Sequence, residues 1–279
     1  MTDEEKMREE RRKKRYALRR AVKTYYDLQF LHTRVSNRIG LKADGTRQNI
    51  EPREMLEDEY ELFMAIRKTA TKQMKELQEG MEISLQIFPL YTEWLLGVKG
   101  IGWLLSSVII AEYDFEIATT VSKLWQFTGV NPGLVRGVKV KKKKDGSIER
   151  IVTDTMVRGD KLTSGFAAPF NQWLRTKILG VLGDSFLKQQ TMPYSQTYYD
   201  YKSRLENSDE LVDEFVGNGK IKKVKWRDAK RIHRHQAAVR KMMKHFLQDL
   251  YVQARTLEGL PVRKPYDEEY LGKKHDDGV

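Results

Sequence analysis

The chain has 279 residues, of which 40% are apolar, enough to fill one large hydrophobic core or two modest ones. It has no cysteine, which excludes disulfides, thiol catalysis and cysteine-bound metals, and 51 basic against 39 acidic side chains give a net charge of +12. That surplus favours a polyanionic partner. The apolar stretch at 104–111 is too short to span a bilayer and no apolar segment follows the charged N-terminus, so we expect a cytoplasmic, nucleoid-associated protein without membrane contact.

Two long helices are predicted at the N-terminus. Apolar residues at helical spacing predict the first over about 4–39, where Gly40 ends it, and a second begins near Pro52 in a first-turn position. The loop of roughly a dozen residues between them lets the pair fold back on itself. Residues 1–88 are therefore predicted to form an antiparallel helical hairpin, either a structural element or an arm through which two copies form a homodimer.

Residues 89–260 are predicted to form a compact, mainly helical domain, followed by a tail over 261–279. Helical spacing recurs near 91–111, 121–127, 170–201 and 226–257, with a basic linker around 217–225. The predicted fold class is mainly α: a long antiparallel helical hairpin, then a compact helical domain that contains a helix-hairpin-helix and a small β-hairpin insertion.

The insertion is predicted over 133–168, where the helical signal disappears. Val138 and Val140 alternate with lysines, and Asp145-Gly146 is a strong tight-turn signal. This pattern predicts a hairpin with one apolar and one cationic face. Its lysines are expected to contact DNA: Lys139, Lys141, Lys142, Lys143 and Lys144.

The basic residues are concentrated in three stretches. Residues 1–24 carry ten basic and five acidic side chains, 134–150 carry seven and two, and 219–245 carry eleven and one. Charge that serves only solubility would be spread more evenly, so this segregation indicates a footprint on nucleic acid. Each stretch taken alone is equally compatible with a solvated surface.

The most specific motif is Val98-Lys99-Gly100-Ile101-Gly102, which lies between two short predicted helices and is similar to the helix-hairpin-helix pattern. Gly100 and Gly102 permit backbone angles barred to other residues, and Ile101 is placed to fill the core beneath the turn. The turn's N–H groups and the start of the second helix then face a phosphate. The motif therefore predicts sequence-independent DNA binding, although a simple tight turn remains open.

A wider region resembles the C-terminal serine domain of an insertion-sequence transposase family whose members join it to an RNase H-like DEDD domain. The resemblance covers roughly 100–250 and is carried by Val98–Gly102, Ala111-Glu112, Ser122–Trp125, Thr128–Pro132, Trp173–Lys177, Gly183–Phe186 and Arg240–Leu247. It implies a DNA-binding transposase or recombinase of a mobile element, with a structured guide RNA as a further partner. In the two later blocks we expect DNA contacts from Arg175, Lys177, Arg240, Lys241 and Lys244.

The resemblance also implies a catalytic serine, usually beside a glycine, between the Gly-x-x-Pro turn and the next helix. Ser164, in Thr163-Ser164-Gly165, fits this position better than Ser147 does. Its hydroxyl would attack a phosphodiester while Arg158, Lys161 or Arg175 stabilises the developing charge. An ordinary loop serine remains the alternative.

The RNase H-like part of the family has no counterpart among the predicted elements. The acids before Gly97, such as Glu54, Glu57 and Glu61, fall on helical faces, so two-metal chemistry by these residues is not expected and no cofactor is predicted. Whether the chain is an enzyme is left open. The alternative is a non-catalytic relative that binds DNA or guide RNA and acts with a separate nuclease, and a third hypothesis is a helical scaffold for acidic proteins.

Weaker candidates lie elsewhere in the chain. His233 and His235 point to different helical faces, so phosphate contact suits them better than a shared metal. Asp114 invites comparison with helix-hairpin-helix glycosylases, but its spacing from the motif is short. Three tyrosines could stack on unpaired bases or belong to the core: Tyr198, Tyr199 and Tyr201.

Overall fold

The computed structural model describes residues 2–42, 44, 46, 56–143, 145–217 and 220–263. Its α-helices are α1 Asp3–Arg38, α2 Glu57–Leu85, α3 Trp103–Glu112, α4 Val121–Thr128, α5 Gln172–Arg175, α6 Gly183–Gln189, α7 Tyr194–Glu206 and α8 Arg231–Leu257. Two antiparallel hairpins pair β1 Leu134–Lys142 with β2 Ile148–Arg158, and β3 Leu211–Gly217 with β4 Lys220–Lys225. The predicted mainly α class with a β-hairpin insertion is confirmed.

The chain divides into two compact units, of which the first comprises Met1–Leu96 and Gly102–Glu112. Helix α1 begins with a capping box, in which the Thr2 hydroxyl accepts from the Glu5 N–H and the Glu5 carboxylate accepts from the Thr2 N–H. Arg67 on α2 donates to the Ser36 hydroxyl at 3.0 Å, and Leu31 lines a groove with Gln73. Residue numbers therefore rise along α1 as they fall along α2, which makes the pair antiparallel.

Helix α3 belongs to this first unit and is buried along most of its length. Its last residue, Glu112, has a fully buried carboxylate that accepts two hydrogen bonds from Arg19, each 3.2 Å long. Lys23 lies 3.4 Å from the same carboxylate. Burial lowers the pKa of Lys23, while the attraction of Glu112 opposes that shift. The two cations on α1 thus compensate a buried charge at the end of α3.

The second unit comprises Gly97–Ile101 and Tyr113–Val279. Helix α8 forms its centre and packs against α7, α4 and the π-helical segment Thr176–Leu182. Phe186 stacks on Tyr194 with ring centroids 5.0 Å apart, and Phe246 meets both rings edge-on. Such aromatic pairs add to the free energy of apolar burial, so this cluster fixes α8 against the helices before it.

The region predicted as a basic linker differs in the structure. It contains part of the β3–β4 hairpin, in which Val212 lies opposite Val224 and Asp213 opposite Lys223. Cross-strand apolar and opposite-charge pairs stabilise a ladder, and the sequence between the two strands is Asn218-Gly219, a tight-turn signal that the basic-linker interpretation overlooked. Helix α8 accordingly begins at Arg231, after a 3-10 turn at Trp226–Asp228.

Two further predictions concern the helix start at Pro52 and membrane contact. The predicted helix start at Pro52 falls outside the described residues. Within the ranges that are described, no helix combines the length and the apolar character needed to cross a bilayer.

Candidate nucleic-acid interface

The turn Gly97–Ile101 is anchored to the second unit through its carbonyl groups. Thr191 donates its hydroxyl to the Lys99 carbonyl and Ser185 donates its hydroxyl to the Gly100 carbonyl, each at 2.8 Å. The C=O and N–H of a trans peptide point in opposite directions, so the Gly100 N–H points away from Thr191. The anchoring therefore fixes the orientation of a backbone donor.

The two glycines of the motif have different roles. Gly100 has φ +88°, and a Cβ there would lie 3.0 Å from the Ser185 hydroxyl oxygen. Gly102 has no left-handed φ, and a Cβ built on it would meet no atom within 4 Å. The prediction that both glycines supply angles barred to other residues is wrong for Gly102, because Gly100 alone makes the left-handed bend.

The neighbouring motif residues have the exposure that a binding turn requires. Ile101 is buried at 8% exposure, as expected of the residue beneath the turn, while Val98 is half-buried. Lys99 is exposed. Their contacts with DNA stay predictions.

The β1–β2 hairpin presents its lysines to solvent, but its faces are mixed. Lys139 lies opposite Ile151 and Val140 lies opposite Arg150, so each face holds both apolar and cationic side chains. The prediction of one apolar and one cationic face is wrong, because the alternation on β2 is out of phase with that on β1. The exposed lysines are Lys139, Lys141, Lys142 and Lys143, and Lys144 lies outside the described residues.

Arg175 and Arg240, from separate helices, are brought together around Asp160. This aspartate follows β2 and its side chain is 1% exposed. Its carboxylate accepts two hydrogen bonds from Arg158, each 2.9 Å, and one from Arg240 at 3.2 Å. Arg175 donates to the Asp160 main-chain carbonyl at 2.6 Å and to the Gly129 carbonyl at 2.8 Å. We call Arg158, Asp160, Arg175 and Arg240 the Asp160 cluster.

The cluster carries more positive than negative charge. Burial lowers the pKa of Arg175, and the nearby Arg240 guanidinium lowers it further, against the attraction of Asp160. His233 lies in the same field: burial lowers its pKa first, and Arg240 and Lys161 add to the shift while Glu214 opposes it. One carboxylate thus holds two guanidinium groups, with a third on the main chain of the same residue, and their mutual repulsion is only partly compensated.

The remaining predicted contacts lie on helices of the same unit. The Lys244 ammonium lies 4.1 Å from the centre of the Trp125 ring, and the Lys177 ammonium 5.6 Å from that of Trp173. Cation–π contacts of this kind restrict the position of each ammonium group to the face of its ring. Lys241 is exposed.

The two candidate serines are both exposed but differ in their contacts. Ser147 donates its hydroxyl to Asp145 at 2.6 Å, and its N–H donates to the same oxygen, so it closes the hairpin turn. Ser164 lies in the loop between β2 and α5, before Gly165 with its φ of +80°. Its hydroxyl makes no hydrogen bond to another described residue.

The weaker candidates take structural roles. His235 shares a 2.7 Å hydrogen bond with the Tyr198 hydroxyl, and the His233 ring lies 4.9 Å from that of Trp226. Tyr198 is buried, as in the core alternative, whereas Tyr199 is 48% exposed. The Asp114 carboxylate accepts main-chain N–H bonds just after α3 and so caps a turn.

Sequence analysis missed Asp160. The available signal was a single acid within Arg158-Gly159-Asp160-Lys161, inside the predicted insertion. The pattern does not show that α5 and α8 each bring an arginine to this point, because that depends on tertiary packing. Among the described residues, no three His, Asp or Glu side chains are grouped to hold a metal ion.

No protein-family model, curated protein or solved structure matches the chain.

Proposed function

We propose that the protein binds DNA through its sugar-phosphate backbone, as a transposase-like or recombinase-like protein of a mobile element. The observation that carries the proposal is the anchored turn. With the carbonyls of Lys99 and Gly100 hydrogen-bonded to Thr191 and Ser185, the Gly100 N–H points away from Thr191, next to the exposed Lys99. Main-chain N–H groups at such turns bind phosphate because no side chain intervenes.

The charge distribution supports the same partner. The exposed lysines of β1 and the cations of α8 lie within stretches where basic residues far outnumber acidic ones. Neutralising backbone phosphates releases counterions, which supplies affinity without reading base sequence. A nucleoid-associated location follows from this proposal.

A catalytic role would be carried by Ser164, as the resemblance implies. Its hydroxyl oxygen would form a bond to the phosphorus of a phosphodiester while one bond from phosphorus to a deoxyribose oxygen breaks, and that oxygen would leave as a hydroxyl with the serine proton. The test is incubation of the protein with internally labelled supercoiled DNA, followed by denaturing electrophoresis for a covalent adduct. Ser164→Ala should abolish the adduct and leave DNA affinity unchanged. Ser147→Ala is the matched control, and an adduct lost in that variant instead would contradict the assignment.

A second candidate is a non-catalytic DNA-binding or guide-RNA-binding relative that acts with a separate RNase H-like nuclease. The observation favouring it is that the Ser164 hydroxyl contacts no general base among the described side chains, whereas activated nucleophiles are paired with one. Binding of labelled DNA without any adduct, together with co-purification of a nuclease, would support this candidate. Formation of a homodimer through α1 and α2 stays a prediction, checked by light scattering.

A further inference from the structure

The Asp160 cluster has hydrogen-bond donors left over. Arg158 uses its Nε and one η nitrogen on the carboxylate, Arg240 uses one η nitrogen there, and Arg175 uses one on two carbonyls. Each guanidinium therefore keeps an η nitrogen with no hydrogen-bond partner among the described residues. The Arg158 side chain is 45% exposed and that of Arg240 is 28% exposed. The side chains of Arg158 and Arg240 are therefore open to solvent in part, where an external acceptor can approach.

The cluster also lacks a balancing negative charge. Three guanidinium groups surround Asp160, two on its carboxylate and one on its main-chain carbonyl. Burial lowers the pKa of Arg175, and the repulsion from Arg240 lowers it further. Holding like charges this close costs free energy unless an anion reduces the repulsion. Guanidinium forks match the oxygen geometry of phosphate, which makes a phosphate the fitting anion.

We propose that Arg158, Arg175 and Arg240, held in place by Asp160, form a binding site for one phosphate group. The inference deepens the proposed function, on which it rests for its natural ligand, a phosphate of a nucleic-acid backbone. Asp160 is a positioning residue: both carboxylate oxygens are occupied by arginines, so it orients Arg158 and Arg240 without meeting the ligand.

Further contacts restrain the arginines and the loop of the Asp160 cluster. Arg175 is fixed by two carbonyls and by the Phe170 ring, whose centroid lies 4.7 Å from its guanidinium carbon. Gln126 donates to the Gly159 and Pro169 carbonyls, which secures the loop on both sides of the aspartate. A site assembled before the ligand arrives loses less conformational entropy on binding.

The first experiment uses orthophosphate as the probe. The melting temperature of the full chain is measured against phosphate concentration and against chloride at equal ionic strength. Phosphate should raise the melting temperature of the parent more than chloride does, and this excess should saturate with phosphate concentration. Arg240→Gln should lose the excess. Lys241→Gln, which removes the same charge from the next position of α8, should retain it. Arg240→Lys is the second variant: it keeps the charge but loses the planar fork, so the excess should fall there too.

Two results would overturn the site: no excess stabilisation of the parent, or an equal excess in all variants, which would mark a general salt effect. Should Arg240→Gln fail to fold, Arg240→Lys and the parent still decide the question.

A second experiment separates the site from the proposed function. Affinity for a short fluorescent DNA duplex should weaken roughly tenfold or more in Arg240→Gln, since charge-assisted hydrogen bonds are lost, and only a few-fold in Lys241→Gln. Equal weakening of both would overturn the site while DNA binding stands. If the parent does not bind DNA, the proposed function is refuted. The phosphate site is then tested by the orthophosphate experiment alone.

Discussion

At the scale of single residues, two of the buried carboxylates, Glu112 and Asp160, are compensated in different ways. Glu112 faces one guanidinium and one ammonium group, both on α1. Asp160 faces guanidinium groups that come from β2 and α8, and a third group fixes its main chain. The ion pairs of Glu112 join α1 to α3, whereas those of Asp160 concentrate positive charge near the surface of the protein.

Removing the carboxylate at the centre of the cluster should destabilise the fold. We expect Asp160→Asn to lower the free energy of unfolding by about 2 to 4 kcal/mol, since a buried partner is lost while the arginines remain partly hydrated. Urea denaturation measures the change. Glu149→Gln is the control, because its pair with Lys143 is exposed at 3.8 Å and is expected to contribute under about 1 kcal/mol. Similar losses in both variants would contradict the structural role of Asp160.

The two glycines of the turn should respond differently to alanine. Gly100→Ala should cost about 1 to 3 kcal/mol of stability, because its φ is left-handed and its Cβ would crowd Ser185. Gly102→Ala meets open space and should leave the melting temperature nearly unchanged while weakening DNA binding. Gly97→Ala, also without neighbours at the Cβ, serves as control. Parent-like DNA affinity in a folded Gly102→Ala variant would remove this position from the interface.

Histidine burial predicts a loss of stability on mild acidification. Burial lowers the pKa of His32 below its ordinary value, and Arg67 adds to the shift. The unfolded chain therefore takes up a proton at higher pH than the folded chain does. Stability is fully present above the unfolded pKa and falls as the pH drops from about 6.5 towards the folded pKa.

The test compares urea denaturation of the parent and His32→Gln at pH 7.5 and 5.5. The variant should lose less stability between the two conditions, since one source of differential proton uptake is gone. His233 and His235, whose pKa values burial also lowers, leave part of the pH dependence in place. An unchanged pH dependence in the variant would show that His32 does not contribute.

At the scale of elements, the described lysines of the β1–β2 hairpin form no ion pair with an acidic residue of another element. Substituting Lys141, Lys142 and Lys143 together with glutamine should weaken DNA binding and lower the salt slope by up to about three units. The melting temperature should hardly change, because the side chains are exposed. The control is the same substitution at Lys68, Lys72 and Lys75 on α2. An equal loss in both would mean that net charge matters and the hairpin does not.

Elements with strong periodicity or local turn chemistry were predictable from sequence, and a side-chain cluster that depends on tertiary packing was not. The apolar stripes of α1 and α8 mark long helices, and Asp145-Gly146 marks the first hairpin because its turn chemistry is local. The β3–β4 hairpin has the same kind of local signal in its sequence, Asn218-Gly219 between the strands, and the basic-linker interpretation overlooked it. The motif glycines of the candidate site were likewise visible in sequence, whereas the grouping of Asp160 with its arginines was not.

At the scale of the whole molecule, the three basic stretches are unequal once ion pairing is considered. In residues 1–24, Glu9 pairs with Arg12 and Lys13, and Asp3 pairs with Lys6. In residues 134–150 the described ion pair is that of Lys143 with Glu149. An acidic residue on the same helix does not fully neutralise its cationic partner. It does lower the positive electrostatic potential at the surface that a DNA phosphate would approach. The hairpin stretch is thus expected to contribute more to DNA binding than its smaller number of basic residues suggests.

The salt dependence of DNA affinity tests this ranking. Affinity of the parent should fall by orders of magnitude between roughly 50 and 200 mM salt if several phosphates are neutralised. Replacing Lys6, Arg12 and Lys13 with glutamine should lower the slope of log affinity against log salt less than the matched hairpin triple does, because each of these cations already has an acidic partner on α1. Fluorescence anisotropy with one duplex at five salt concentrations gives all three slopes. A flat response in the parent would refute electrostatic DNA binding altogether. A larger effect of the α1 triple would instead place the principal contact on the first helix, where the loss of ion pairs should also appear as a lower melting temperature.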